Sequence, residues 1–157
     1  MSVARFAQVI NATEIRLDEA CLAMSSAIQR PLDELDWLAE LDLLAADCPS
    51  ATPERVARYL FGDLGFRGNT GAYYDWRNSC LDRVIETRVG IPISLSVLMI
   101  EVARRVGVPL VGIGMPAHFL VRTVSDTERF FDPFAGGAEL DADGARALFE
   151  RVTRGQV

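Results

Sequence analysis

An apolar stretch at residues 93–106 constrains the fold more than any other part of the sequence, because two helix-breaking tripeptides enclose it. Gly-Ile-Pro precedes it at residues 90–92, and Gly-Val-Pro follows it at residues 107–109. Glycine and proline both interrupt helices, so these tripeptides mark the two ends. Hydrophobic side chains occupy nearly every side of this segment, which is typical of a helix surrounded by protein. The sequence therefore predicts a buried central helix.

The preceding residues predict a helical N-terminal part over about residues 1–62. Thr13 can cap a first helix through its hydroxyl group. Pro31 can open a second helix, since proline is favoured in the first turn. Thr52 followed by Pro53 has the pattern of a third helix start.

A long loop is predicted between the third helix and the centre of the chain, because residues 62–77 are rich in glycine and aromatic residues. Its aromatic side chains can either line a groove or pack the loop onto the core. Ser79 and Asp82 have the spacing of a capping box, which predicts a short helix over residues 80–88. The aromatic residues of the loop are Tyr73, Tyr74 and Trp76.

Short β-type runs follow the central helix at residues 110–115, 118–124 and 129–131, and a helix is expected at about residues 142–154. The connections between the runs are brief, which favours antiparallel pairing. Helices that are followed by such strands indicate an α+β fold. We see no repeat and no second domain, so the whole chain is predicted to be a single domain, with its core at about residues 63–140.

Composition excludes several classes of function. The 157 residues carry a formal net charge of −6 without clustered Lys and Arg, so nucleic acid is not an expected partner. Residues 1–12 lack the apolar core of a signal peptide. The longest uncharged stretch, residues 106–121, is too short for a membrane helix, so no membrane partner is expected.

The three cysteines, Cys21, Cys48 and Cys80, stand at unrelated spacings. An odd number without a Cys-x-x-Cys pair suits free thiols in a reducing compartment, which predicts a cytoplasmic location. The chain has one histidine, so neither a metal site nor a cofactor is expected.

His118 and Asp132 are the strongest candidates for chemistry. His118 opens one predicted strand, and Asp132 follows the next strand. In an antiparallel hairpin the two can lie side by side, so that the carboxylate orients the imidazole as in a nucleophile–His–Asp arrangement. The alternative is structural: His118 starts a strand, and Asp132 caps the turn before Pro133.

Several motifs resemble the SirB-type transglutaminase-like family of bacterial proteins, and the resemblance extends over about residues 66–140. Relatives commonly carry glycine where this sequence has Ala117, and many continue into tetratricopeptide repeats, of which none is visible here. The resemblance implies a papain- or transglutaminase-like core, with a buried central helix packed on a small antiparallel sheet. The motifs are Asn-Ser-Cys-Leu at 78–81, Arg-Val-Gly-Ile-Pro-Ile-Ser-Leu at 88–95, Glu-Val-Ala-Arg-Arg at 101–105, Gly-Ile-Gly-Met-Pro-Ala-His-Phe-Leu-Val at 112–121 and Asp-Pro-Phe at 132–134.

The resemblance places His118 and Asp132 at the superfamily's catalytic His and Asp, but it does not supply a nucleophile. In active relatives a cysteine opens the central helix, where the helix dipole favours the thiolate. That position falls at or near Pro92 here. Ser94 is the nearest hydroxyl, and Cys80, at the start of the preceding helix, is the alternative thiol.

Other side chains are expected beside this site. We predict a binding groove formed by Asn78, Tyr74, Trp76 and Pro92, although Asn78 can equally be a helix-entry residue. Glu101 lies within the apolar stretch, where an unpaired carboxylate is unfavourable. We therefore expect Glu101 to pair with Arg88 or Arg104.

Two functions follow from these observations. The first is a non-catalytic transglutaminase-like domain that binds a protein or peptide segment as a regulatory module. The second is a thiol- or serine-dependent amidase, peptidase or acyltransferase that uses Cys80 or Ser94 with His118 and Asp132.

Overall fold

The structure, a computed structural model, describes residues 2–155 and begins with a layer of helices. A π-helical turn, Arg58–Asp63, extends the helix Pro53–Ala57, and a 3₁₀ turn, Trp76–Ser79, leads into the helix Leu81–Thr87. No helix within residues 2–155 has both the length and the apolar composition to cross a membrane. The helices of this layer are α1 Ser2–Ile10, α2 Leu17–Ile28, α3 Glu34–Ala46, α4 Pro53–Ala57 and α5 Leu81–Thr87.

The central helix, α6, spans Pro92–Arg105, and most of its residues are buried. Leu95, Leu98 and Val102 have no exposed surface, whereas Ile93 at the start is 49% exposed. The predicted central helix is therefore confirmed, although it begins one residue early because Pro92 occupies its first turn.

A four-stranded antiparallel sheet lies between α6 and the C-terminal helix, α7 (Ala142–Thr153). Leu110, Val121 and Phe131 belong to the core that contains α6, whereas Leu120 packs with Leu148 of α7. This arrangement confirms the predicted α+β fold. The strands follow in chain order as β3 Leu110–Met115, β4 His118–Thr123, β5 Phe130–Asp132 and β6 Ala138–Leu140, and a separate parallel pair is formed by β1 Arg67–Gly68 and β2 Val89–Gly90.

Several predicted helix starts are wrong. Thr13 caps no helix, since α2 begins at Leu17, and the earlier helix α1 was not predicted. The helix expected at Pro31 begins at Glu34 instead, because the Asp33 carboxylate accepts a hydrogen bond from a backbone N–H in its first turn.

Of two further predicted helix starts, one is confirmed and the other is capped differently. Thr52 does cap α4, accepting from the Arg55 amide at 3.3 Å. The prediction of a capping box formed by Ser79 and Asp82 is wrong, because α5 begins after Cys80 without a side-chain cap. The Asp82 carboxylate instead accepts from Gln29 at 2.7 Å, which ties α5 to α2.

A buried ion cluster joins the C-terminal end of α6 to α2. Asp18 accepts from Arg105 at 2.7 Å and from Arg104 at 3.2 Å, while Glu101 accepts from the same two arginines at 2.8 and 2.7 Å. The expected pairing of Glu101 with Arg104 is confirmed, and pairing with Arg88 is wrong because Arg88 donates to a backbone carbonyl elsewhere. Burial pushes the pKa of Asp18 upward, but hydrogen bonds and nearby positive charge, chiefly from Arg105, hold it below its ordinary value.

The turn between β3 and β4 is short and contains an unfavourable backbone conformation. Met115 pairs with His118, so Pro116 and Ala117 form a two-residue loop. Ala117 has a φ of 54°, in the left-handed region that glycine adopts without steric cost. Proline followed by a residue with positive φ is the pattern of a type II turn, whose third position favours glycine. The conformation explains why glycine suits this position.

Replacing Leu98 by Ala should lower the free energy of unfolding by roughly 2–5 kcal/mol, because a cavity would form where no side-chain surface is exposed. Urea unfolding followed by circular dichroism measures the change. Leu35→Ala is the control: Leu35 is 74% exposed on α3, and its loss should stay within about 0.5 kcal/mol. A loss below about 1 kcal/mol for Leu98→Ala would contradict the central position of α6.

Asp18→Asn should lower the free energy of unfolding by about 3–5 kcal/mol at pH 7, because two arginines lose a buried partner. Since the folded-state pKa of Asp18 is lowered, its contribution is complete above its unfolded-state pKa of 3.8 and is lost as the pH falls through the folded value. The difference from wild type should therefore shrink below pH 3.8 in a pH series of urea titrations. Asp143→Asn, at an exposed position of α7, is the control and should be nearly neutral.

Ala117→Gly should raise the free energy of unfolding by about 0.5–1 kcal/mol, since relief of the left-handed strain exceeds the added flexibility of the unfolded chain. Ala39→Gly, at an exposed position inside α3, provides a control of opposite sign, with an expected loss of about 1 kcal/mol. If both variants destabilised equally in thermal and urea unfolding, the turn would not be strained.

Candidate functional site

His118 and Asp132 form a buried hydrogen-bonded pair at one end of the sheet. The His118 Nε2 and Asp132 Oδ2 atoms lie 2.9 Å apart. The other carboxylate oxygen accepts from the backbone amides of Phe134 and Ala135, each at 3.1 Å. The predicted contact is confirmed, and Asp132 also caps a turn, although this turn contains Pro133 and does not precede it as predicted.

An aromatic pocket opens beside the imidazole. The Phe134 ring lies edge-on to His118, with ring centres 6.1 Å apart, and edge-on to Tyr73 at 6.0 Å. Gly68 makes this position possible, because a Cβ atom there would come within 2.4 Å of the Phe134 ring. Tyr74 completes the wall and is 96% exposed, so it lines a groove and does not pack onto the core.

Pro92 lines the same pocket as the imidazole. Pro92, Ala117 and His118 are common to two adjoining cavities at the N-terminal end of α6. Within residues 2–155 the hydrogen bond of His118 uses Nε2, which leaves Nδ1 without a protein partner. The first residue of α6 thus shares a cavity with the imidazole, and this residue has no nucleophilic atom.

Cys80 lies away from this pocket. Its side chain is 0% exposed, and Sγ contacts the carbonyl oxygen of Trp76 at 3.9 Å. Burial raises the pKa of the Cys80 thiol above its ordinary value. A buried thiol with a raised pKa has little thiolate at neutral pH.

Ser94 uses its hydroxyl group to hold the helix start. Its Oγ donates to the carbonyl oxygen of Asn78 at 2.6 Å and accepts from the amide of Ile91 at 3.0 Å. Both interactions stabilise the entry into α6. Within the described part of the chain, Ser94 makes no hydrogen bond to His118.

Asn78, which was predicted to form the groove, is not among the residues that line the pocket of His118, but it holds the loop that carries two of them. Its side-chain amide donates to the carbonyl oxygens of Ala72 and Tyr73, and its Oδ1 accepts from Asn69. Asn78 therefore shapes the loop that carries the two tyrosines. Trp76 is 49% exposed in the adjoining 3₁₀ turn and is not among the residues lining the pocket.

The site combines predicted and unpredicted residues. The structure brings His118, Asp132, Pro92 and Tyr74 together and places Cys80 and Ser94 elsewhere in the hydrogen-bond network. The role of Phe134 was not predicted, although it follows Asp132 in a recognised motif. Residues 2–155 contain no group of His, Cys, Asp and Glu side chains arranged to hold a metal ion.

Comparison with known proteins gives relatives of two kinds, bacterial UPF0162 proteins and a mammalian F-box protein. The chain is 56% identical over 98 residues to a UPF0162 protein of Xylella fastidiosa (strain 9a5c), covering 62% of this chain and 34% of that protein. It is 34% identical over 134 residues to a UPF0162 protein of Vibrio cholerae serotype O1, covering 78% and 49%. It is also 33% identical over 107 residues to F-box only protein 21 of Mus musculus, covering 62% and 17%.

The chain therefore spans half or less of the length of these relatives. No solved structure matches the chain. The family comparison is broader, since the profile described as the transglutaminase-like superfamily matches residues 15–157. That match includes α2 to α7 and the whole candidate site, so the chain belongs to the transglutaminase-like superfamily.

Proposed function

We propose that these residues form a SirB-type transglutaminase-like domain that is not catalytic and binds a protein or peptide segment in the groove beside His118. The observation that carries this proposal is the position of Pro92, which opens α6 and lines the pocket of His118. A proline ring has no atom that can attack a carbonyl group. The groove would then remain as a binding surface without a nucleophile.

The pair of His118 and Asp132 suits a binding role. Asp132 fixes one ring nitrogen, so the other nitrogen has a defined direction and can exchange a hydrogen bond with a peptide group. Tyr73, Tyr74 and Phe134 offer an apolar pocket for one side chain of the bound segment. Backbone and side chain would thus be recognised at neighbouring points.

The relatives support a role as a module in longer proteins. The chain aligns with 34% of a UPF0162 protein and with 17% of F-box only protein 21, two proteins of different name and length. A domain found inside different chains suits recognition of a segment better than one shared reaction. We propose a cytoplasmic location, in keeping with three free cysteines.

The alternative, a thiol or serine hydrolase or acyltransferase, requires a nucleophile within hydrogen-bond reach of His118. Cys80 would have to leave the core, where burial raises the pKa of its thiol. Ser94 would have to release the carbonyl oxygen of Asn78. Both requirements disfavour the enzyme.

Alkylation by iodoacetamide across pH 5 to 9 tests the proposal, with mass spectrometry to locate the label. Cys80 should react slowly and without a rate increase near pH 6, because its thiol is buried and has a raised pKa. Cys21 is an internal reference, since burial and the charges of Glu101 and Asp18 raise its pKa to about 11. Fast labelling of Cys80 near pH 6 that disappears in His118→Ala would contradict the proposal.

Pro92→Cys is the matched gain-of-thiol variant. A cysteine there would stand at the helix N-terminus beside the imidazole, so its labelling at pH 6 should exceed that of Cys80 and fall when His118 is also replaced by Ala. Pro53→Cys, which also replaces a proline at the first position of a helix but lies outside the cavities of His118, controls for the effect of the helix terminus alone. A Pro92→Cys thiol that reacts no faster than the Pro53→Cys thiol would mean that the imidazole does not reach position 92.

A further inference from the structure

We propose that the free edge of β3 binds an extended, uncharged peptide segment of another protein as an additional antiparallel strand, which leads into the aromatic pocket beside His118. This inference rests on the proposed function, because it specifies the shape and chemistry of the bound segment. Three observations carry it: the free edge itself, the residues along it, and its continuity with the pocket.

The first observation is that one side of β3 has backbone groups without partners in residues 2–155. Within this described range, β3 is an end strand of its sheet and pairs with β4 alone. The Val124 amide bonds to the Pro109 carbonyl oxygen, whereas the Thr123 amide points to the other side and bonds to Arg129. Because antiparallel pairs alternate, this pattern directs the N–H and C=O groups of residues 110, 112 and 114 away from β4.

Two of these three outward-facing residues are accessible, whereas Leu110 is buried. Gly112 and Gly114 are exposed, and within residues 2–155 their backbones make no hydrogen bond beyond the β3–β4 pair. Neither glycine has a side chain that would obstruct an incoming strand. Their presence also has a local cause, since a Cβ atom at Gly112 would come within 2.5 Å of the Phe119 ring.

The second observation is that β3 lacks the features that normally protect an edge. The strand has 6 residues, Leu-Val-Gly-Ile-Gly-Met, without a charge or a proline. Natural edge strands are usually shortened, charged, bulged or covered. An uncharged edge of about 20 Å is suited to backbone pairing with an extended segment.

The third observation is that the edge leads toward the aromatic pocket. Met115, the last residue of β3, lines a second cavity, which shares Pro92 and His118 with the aromatic pocket. A segment that pairs along β3 and continues past Met115 therefore reaches this second cavity and, past the shared residues, the aromatic pocket. One apolar side chain of that segment can then contact Tyr74 and Phe134.

This continuity favours a peptide over a second copy of the chain. Two copies paired antiparallel through β3 would place Met115 of each beside Leu110 of the other, far from the partner's pocket. The pocket would stay empty and Tyr74 would keep its 96% exposure. A peptide segment of another protein can instead pair with the edge of β3 and also fill the aromatic pocket. The net charge of −6 further favours basic residues flanking its uncharged part.

The experiment begins with a phage-displayed library of random dodecapeptides, panned on the folded domain. Sequences with an alternating apolar centre and basic flanks are expected, and the strongest binder is synthesised with a fluorescent label. Amide hydrogen exchange of the domain is then compared with and without this peptide. Protection should appear at Gly112 and Gly114, which face outward, with little change at Ile113, which is already bonded to β4.

Two substitutions of one residue separate edge pairing from general damage. Gly114→Pro removes an outward N–H without removing a bond to β4, and should weaken binding about tenfold or more in fluorescence anisotropy. Gly114→Ala keeps the N–H, and its Cβ would lie 3.7 Å from Phe119, an ordinary contact, so affinity should stay nearly unchanged. Circular dichroism checks that both variants fold.

The peptide provides a second test that leaves the domain unaltered and holds even if Gly114→Pro fails to fold. N-methylation of alternate peptide nitrogens that face β3 should abolish binding, while methylation of the intervening nitrogens should not. Equal effects of both patterns, or failure of the library to yield any binder, would overturn the inference.

Other outcomes distinguish the inference from the function on which it rests. A peptide whose binding is lost in Tyr74→Ala but unaffected by Gly114→Pro would overturn edge pairing and leave the binding function standing. Protection of Gly112 and Gly114 that depends on domain concentration alone would assign the edge to a second copy and overturn the inference. Activated labelling of Cys80 would contradict the non-catalytic function while leaving edge pairing intact.

Discussion

Burial of most of α6 is the constraint on which the rest of the structure depends. A helix that exposes little beyond Ile93 and Arg104 needs protein around most of its circumference, so the helical layer covers one part and the sheet covers another. The charged side chains near the C-terminal end of α6 need partners of opposite charge, and Asp18 of α2 pairs with both arginines there. Arg104 and Arg105 also lie at the end of the helix dipole that favours positive charge. Both effects stabilise the C-terminal end of α6, while its first residue, Pro92, lines the cavity of His118 at the other end.

The residues in the first turn of α6 stabilise the helix start, at the position where the family resemblance leads one to expect a cysteine nucleophile. Pro92 has the backbone angle that a helix start requires, and Ser94 satisfies the amide of Ile91. The same hydroxyl bonds to the carbonyl oxygen of Asn78, which couples the helix start to the tyrosine loop. This turn therefore holds the loop beside the pocket, and its first residue, Pro92, has no nucleophilic atom.

Features with local causes were predictable from the sequence, and features with distant causes were not. His118 and Asp132 are 14 residues apart in one hairpin, so strand patterns were enough to predict their contact. The contact of Phe134 with Gly68 joins remote segments, and no periodicity signals it. The strands β1 and β2 contain 2 residues each, too few for an alternating pattern.

The predicted helix starts that are wrong have more than one cause. Asp33 and Pro31 both suit the entry to α3, and the chain uses the Asp33 carboxylate, which accepts from the Leu35 amide. Asp82 has capping chemistry, yet its carboxylate accepts from Gln29 and so contacts α2. A local cap decides the first case, and a contact between two helices decides the second.

The pocket walls come from two pieces that are held independently. His118 and Phe134 are fixed by Asp132, whose carboxylate has partners for both oxygens. Tyr73 and Tyr74 belong to a loop that Asn78 holds from beneath. Since both oxygens of this buried carboxylate are bonded, it has no unsatisfied group, and the imidazole keeps its orientation. A segment bound as proposed above would contact both walls, and its binding would couple the hairpin to the loop.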